Sequence, residues 1–157
     1  MENMENLETM VPALVTSIRR AADADAPAIA TLSGQLGYPT TADAVRARLV
    51  TALDRADNEI LVALDGDAVV GWIHVYGVHT LESDAHAEIA GLIVDDRQRS
   101  RGIGEALVRA AEQWAAGAGY RDARVRSNVI RERAHGFYVR LGYREVKRQS
   151  VLVKNLP

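Results

Sequence analysis

Three groups of residues have the types and spacing to do chemistry. The first is the turn Arg99-Ser100-Arg101-Gly102-Ile103-Gly104-Glu105, which follows an apolar run ending at Asp95-Asp96 and opens a stretch of helical periodicity. A strand that turns tightly into a helix aims unpaired backbone N–H groups and the positive end of the helix dipole at one point, which suits an anion. The two glycines let a ligand approach the backbone without meeting a Cβ. Arg97, Arg99 and Arg101 make the surroundings cationic, although Arg97 alone reads as part of a solvated basic patch. The second is Glu88, an acid inside an apolar strand. It stands either exposed at the strand start or where it can take a proton through water, with Glu82, Asp84 and His86 as alternatives. The third is Tyr138. A phenol of pKa near ~10 stays protonated at neutral pH and can donate. At helical spacing from Ala134 and Leu141, a tyrosine is otherwise a core residue with a satisfied hydroxyl.

Phosphate-binding turns differ in spacing. A Walker loop needs Gly-Lys-Ser/Thr, whereas Gly104 is followed by Glu105 with no lysine near. A dinucleotide fingerprint needs a third small residue where Leu107 stands and an acid, about 20 residues later, where Arg124 stands. Both fail. The remaining pattern, Arg99-x-x-Gly102-x-Gly104 between strand and helix, resembles the acyl-CoA signature of the GCN5-related N-acetyltransferases. Val69-Val70-Gly71-Trp72, Asn128, Phe137-Tyr138 and Leu141-Gly142-Tyr143 are similar to the family in order and spacing, so the resemblance covers nearly the whole chain from residue 16.

The resemblance implies an acetyl-CoA-dependent N-acetyltransferase that moves an acetyl group directly to a primary amine of a small molecule, aminoglycoside-, polyamine- or amino-acid-like. The alternatives are a non-catalytic acyl-CoA-binding sensor and an enzyme acetylating protein N-termini. It implies that the loop amides of Arg99, Ser100, Arg101, Gly102, Ile103, Gly104 and Glu105 hold the coenzyme A pyrophosphate. The backbone of Leu92, Ile93 and Val94 would bind the pantetheine arm and thioester, on a strand that Gly91 marks as bulged or closely approached. Glu88 would be the general base and Tyr138 the general acid for the departing thiolate, beside the cofactor. Asn128 would bond the pantetheine amide or else cap the following helix. Residues 35–40 and 72–80 would line the acceptor side.

Composition narrows the class. At 157 residues the expectation is a flexible leader over 1–12 and a single domain over 13–157. Cysteine is absent, so disulfides and thiol catalysis are excluded, including a covalent thioester on the enzyme. His74, His79, His86 and His135 show no ligand spacing, so no metal is expected. No apolar run approaches the ~18 residues of a membrane span, and MENMENLETM has no apolar signal region. A cytoplasmic protein with no membrane partner follows as the expectation, with a homodimer as the family-level one.

The formal charge of -2 divides sharply. Residues 1–96 carry 5 basic and 16 acidic side chains, and residues 97–157 carry 14 basic and 5 acidic, so the balances are -11 and +9. An arginine-rich composition explains this blandly. A phosphorylated cofactor held by the rear half and a cationic acceptor drawn by the front half explain it functionally. Nucleic-acid binding by the rear half is not expected, because its basic residues are scattered and no aromatic run accompanies them.

These residues need elements to hold them. The pattern predicts an edge strand over 13–20 and a helix capped by Asp25 with Pro27 in its first turn. A second helix begins at Thr41 and reaches Arg55. Strands over 59–64 and 68–76 flank the hairpin signal Asp65-Gly66-Asp67. A loop or strand end over 77–84 leads to a strand over 85–94. A helix over 103–118, with Ile103, Leu107, Ala110, Ala111, Trp114 and Ala118 inward, is closed by Gly119. A strand over 125–128, a helix over 131–141 ended by Gly142, and extended chain over 143–154 complete the order β-α-α-β-β-β-α-β-α-β. The fold class is α/β: a mixed, mostly antiparallel twisted sheet with helices on both faces, which is also the acyltransferase fold that the resemblance implies.

Overall fold

The structure is a computed structural model that describes residues 17–98, 101–127 and 132–157. Its strands are β1 (Ser17–Arg20), β2 (Asn58–Asp65), β3 (Ala68–Val78), β4 (His86–Val94) and β5 (Ala123–Val125). Its helices are α1 (Ala26–Gln35), α2 (Ala42–Leu53), α3 (Ile103–Gly117) and α4 (Glu132–Arg140). They fall into two compact units, one ending at Arg126 and one running from Ser127 to Pro157.

In the first unit the five strands lie in the order β1-β2-β3-β4-β5. The first four pair antiparallel, and β5 joins β4 in parallel after the crossover through α3. Alternation along the strands assigns the two faces. Ile60, Val62 and Trp72 point to α1 and α2, where Ala26, Ile29, Val45 and Leu49 close a core. Ile73 and Val75 point the other way, towards the face covered by Ile103, Leu107, Val108, Ala111 and Ala115 of α3. At Gly71 the packing is close: a Cβ there would lie 3.1 Å from Leu107 Cδ1 and from the Ile93 carbonyl. Glycine at this position lets α3 settle against the sheet.

Several local expectations hold for local reasons. Thr41 caps α2, its hydroxyl accepting from Ala44 N at 3.1 Å. Gly66 turns the β2–β3 hairpin at φ +60°, and Gly119 ends α3 at φ +92°. Other expectations need correction. Asp25 does not cap α1: it is helical, and its carboxylate accepts from Ala22 N at 2.7 Å and from both terminal nitrogens of Arg19 at 2.7 and 2.9 Å. It closes the short turn before the helix and ties that turn to β1. The inner face of α3 is rotated from the expected one, because Val108 and Ala115 are buried while Ala118 is exposed. β5 begins earlier than expected and is short, since only Ala87, Glu88 and Ile89 offer it partners. Residues 143–157 form no strand, and Val151, Leu152 and Val153 are exposed.

In the second unit Tyr138 packs edge-on against Phe137 and Tyr143, with ring centroids at 5.0 and 5.6 Å. Gly142 ends this helical segment at φ +99°.

Candidate active site

β4 is the axis of the site. Its register against β3 shifts by one residue after Ile89: Val75 faces Ile89 and His74 faces Gly91, which leaves Ala90 as the extra residue of a β-bulge. Gly91 beside the bulge is closely approached, since a Cβ there would lie 3.0 Å from the Trp72 ring. On its other edge β4 pairs with β5 only from Ala87 to Ile89. From Ala90 to Val94, therefore, that edge has no strand partner among the described residues. The backbone groups of Leu92, Ile93 and Val94 that point away from β3 lie outside any ladder, as a hydrogen-bonding edge for an extended ligand.

The same strand leads into the turn at the start of α3. Asp95 organises it, accepting from Arg97 N at 3.1 Å through Oδ1 and from Gln98 N at 2.9 Å through its carbonyl. Hydrogen bonds from Arg97 hold its carboxyl below the usual carboxylate range. Arg97 is exposed and pairs back onto Asp95 at 3.4 Å, so it belongs to the turn rather than to a ligand. Gly102 sits at the cap of α3 with φ +80°, the left-handed region that glycine favours, and no side chain caps the helix. The first capping bond is Ala106 N to the Gly102 carbonyl at 3.0 Å. The N–H groups of Ile103, Gly104 and Glu105 precede it and have no intrahelical acceptor. Among the described residues, and leaving out its chain neighbours, no atom lies within 4 Å of the position a Gly102 Cβ would take. Arg101 bonds the Gln98 side chain, and Glu105 leans towards Arg109 at 3.8 Å, away from the turn. Arg99, Ser100 and Asn128 lie outside the described residues.

Glu88 is buried, its side chain 8% exposed, and both carboxylate oxygens are engaged. Tyr76 donates to Oε2 at 2.6 Å and Arg126 Nε to Oε1 at 3.1 Å. Burial pushes the carboxyl pKa up, but the bonds from Tyr76 and Arg126, with the charge of Arg126, outweigh it and leave the group below its ordinary value. The bond to Glu88 raises the Tyr76 phenol in turn. Neither partner was legible as such in the sequence. Both follow from register, with Tyr76 opposite Glu88 across β3–β4 and Arg126 one residue beyond β5. Of the alternatives, Glu82 and Asp84 are exposed and His86 is buried.

A cavity of about 810 Å³ opens beside this cluster, between α2 and the end of β3. His74, Tyr76 and His79 line one wall and Arg48, Arg55 and Asp57 the other. The 72–80 stretch expected on the acceptor side contributes His74, Tyr76, Gly77, Val78 and His79 to this lining. Burial lowers the His74 pKa, and its Nε2 bonds Asn58 Oδ1 at 2.8 Å. Asp57 is paired with Arg55 at 3.2 Å, so the wall is not acidic despite the acidic front half. Tyr138, in the second unit, is 8% exposed, and burial pushes its phenol up to about 12. Among the described residues no group of three or more His, Cys, Asp or Glu side chains is placed to hold a metal ion, and no helix is long and apolar enough to cross a membrane.

Comparison with known proteins converges on one family. Aminoglycoside N(6')-acetyltransferase type 1 of Stenotrophomonas maltophilia is 32% identical over 138 residues, covering 84% of this chain and 88% of the relative. The apo aminoglycoside 6'-N-acetyltransferase AAC(6')-IG of Acinetobacter haemolyticus has the same fold, with a TM-score of 0.77 at 17% identity over 90% of this chain and 100% of that one. Aminoglycoside N-acetyltransferase AAC(6')-Iy, in complex with CoA, gives a TM-score of 0.79 at 19% identity over 89% and 95% of the two chains. The model of the acetyltransferase (GNAT) family matches residues 26–143. Over most of its length, through the bulged strand and the glycine turn alike, this chain belongs to the GNAT acetyltransferase family and is an N-acetyltransferase.

Proposed function

We propose that the protein transfers the acetyl group of acetyl-CoA directly to a primary amine of a small molecule, with an aminoglycoside-like polyamine as the first class of acceptor. The observation that carries this reading is the continuity of the unpaired edge of β4 with the start of α3 at Gly102. An extended arm carrying a phosphate group at one end meets there, in sequence, a free strand edge and a helix N-terminus. The aminoglycoside assignment is supported by the relative at 32% identity.

Acetyl-CoA supplies an activated thioester. The chain then holds the cofactor, polarises its carbonyl and moves the protons. Amides of Ile103, Gly104 and Glu105 bind the pyrophosphate, with the turn residues Arg99 and Ser100 alongside Arg101. The outer edge of β4 at Leu92, Ile93 and Val94 orients the arm and polarises the carbonyl through a backbone N–H. Asn128 bonds the pantetheine amide. Glu88 is the final acceptor of the amine proton, and Tyr138 donates to the departing thiolate.

Calorimetric titration with acetyl-CoA, with free CoA and ATP as controls, tests the cradle. Thiol release with a panel of amines then tests the transfer. Binding of acetyl-CoA and CoA but not ATP, with amine-dependent thiol release, is the expected result. Binding without release from any amine would leave a sensor, and no binding of either CoA species would overturn the reading. Gly102→Ala gives a graded version. The new Cβ meets no atom beyond its chain neighbours among the described residues, so the cost is conformational, about 1–2 kcal/mol for an alanine held at φ +80°. If the turn relaxes to relieve it, acetyl-CoA affinity falls about tenfold with little change in Tm. Unchanged affinity together with an unchanged Tm would place the phosphate elsewhere.

A further inference from the structure

Glu88 has a problem of access. Its side chain is 8% exposed, both oxygens are held, and it does not line the cavity between α2 and β3. Tyr76 does line that cavity, is half-buried, and ends in the hydroxyl bonded to Glu88 Oε2 at 2.6 Å. A phenol that donates its one proton still has lone pairs to accept with, and here the Tyr76 hydroxyl forms no other hydrogen bond among the described residues. We propose that Tyr76 is the proton carrier of the reaction: its oxygen takes the proton of the acceptor nitrogen while its own proton passes to Glu88 Oε2. This rests on the transferase reading and replaces, within it, water as the link to Glu88.

The step balances. The free amine attacks the acetyl carbonyl, and the nitrogen, now carrying a positive charge beside the new C–N bond, becomes strongly acidic. Its N–H bond breaks, an O–H bond forms at Tyr76, the original O–H bond of Tyr76 breaks, and Glu88 becomes neutral. No oxidant, reductant or further reactant enters. The groups that set the local field are Glu88 and His86 on β4, Arg126 after β5 and His74 on β3, its ring centroid 5.9 Å from that of Tyr76. Arg48, Arg55, Asp57 and His79 stand around the cavity. Arg126 keeps Glu88 an anion until the proton arrives and then faces a neutral acid, which favours passing the proton on to solvent.

Tyr76→Phe removes the carrier and keeps the ring. The expected result is a fall in kcat of about 100-fold, with acetyl-CoA affinity by calorimetry and the KM for the amine unchanged. A small diffusible base such as imidazole should restore part of the lost rate, because the cavity is open. Glu88→Gln is the companion variant: its amide can donate to the Tyr76 oxygen and so reverse that bond, and it should show the same fall in kcat. A Tyr76→Phe enzyme with wild-type kcat overturns the relay and leaves the transferase standing. So does a loss of rate that comes with lost acetyl-CoA affinity and no rescue, which marks a structural role. A wild-type protein that binds acetyl-CoA and releases no thiol with any amine overturns both.

Discussion

Glu88→Ala is expected to lower the stability of the fold by about 1–3 kcal/mol, because it takes the acceptor from the Tyr76 hydroxyl and one partner from Arg126. Tyr76 loses its acceptor at 2.6 Å and the Arg126 Nε loses its partner at 3.1 Å. The upper range for breaking a buried pair does not apply, since the Arg126 side chain is 67% exposed and water can take over its half. Glu88→Gln should cost less than about 1 kcal/mol, since its oxygen can face Arg126 and its nitrogen Tyr76. Urea denaturation of the three proteins separates these values, and equal midpoints for wild type and Glu88→Ala would show that the cluster contributes nothing. The sign of the pH dependence follows from the depressed carboxyl. A group whose folded pKa lies below its unfolded value of about 4.3 stabilises the fold fully above that value. The contribution is lost as pH falls through the lower, folded value. The gap between wild type and Glu88→Ala should stay flat from about pH 8 to pH 5 and close only below about pH 4. Activity carries the matching signature: Glu88 stays ionised throughout the neutral range, so an acid limb between about pH 6 and pH 9 reports the ammonium of the acceptor.

What the sequence discloses about this site divides by the range of the interaction. Gly102 was legible as a turn glycine between strand and helix because that pattern is local; the left-handed cap at φ +80° is what the structure adds. Gly91 was legible as an irregularity for a similar reason, although a bulge and a close approach were both open, and the structure has both. The tyrosine and arginine that clamp Glu88 were not legible. Tyr76 meets Glu88 only because β3 and β4 pair in one register on that side of the bulge, and a one-residue slip would have turned it to the other face. The inner face of α3 was misjudged for a different reason. Ala110, Ala111, Ala115, Ala116 and Ala118 crowd the helix, and alanine is small enough to sit on either side of it. Only Ile103, Leu107 and Val108 fix the direction. The last strand of the expected order failed because an extended stretch such as 143–154 names no partner to pair with.

Tyr138→Phe is the substitution from which the largest loss of turnover is expected outside the Glu88 cluster, about 100-fold in kcat, with acetyl-CoA affinity unchanged. The ring is retained, so its edge-on contacts with Phe137 and Tyr143 survive and stability should shift by less than about 1 kcal/mol. Burial strengthens the case for an acid and against a base. With its pKa at about 12, the phenol is protonated at every pH at which the enzyme is assayed, and it contributes no basic limb below about pH 11. So weak an acid gives up its proton only when the acceptor is a strong base, and the thiolate becomes one only as the C–S bond breaks. The deficit should therefore depend on the leaving group. An acetyl thioester whose thiol is more acidic than that of coenzyme A needs less help, and the ratio of wild-type to Tyr138→Phe rates should shrink towards one. A deficit that stays constant across such donors would mean that the hydroxyl orients the arm, and wild-type kcat with acetyl-CoA itself would remove Tyr138 from the chemistry.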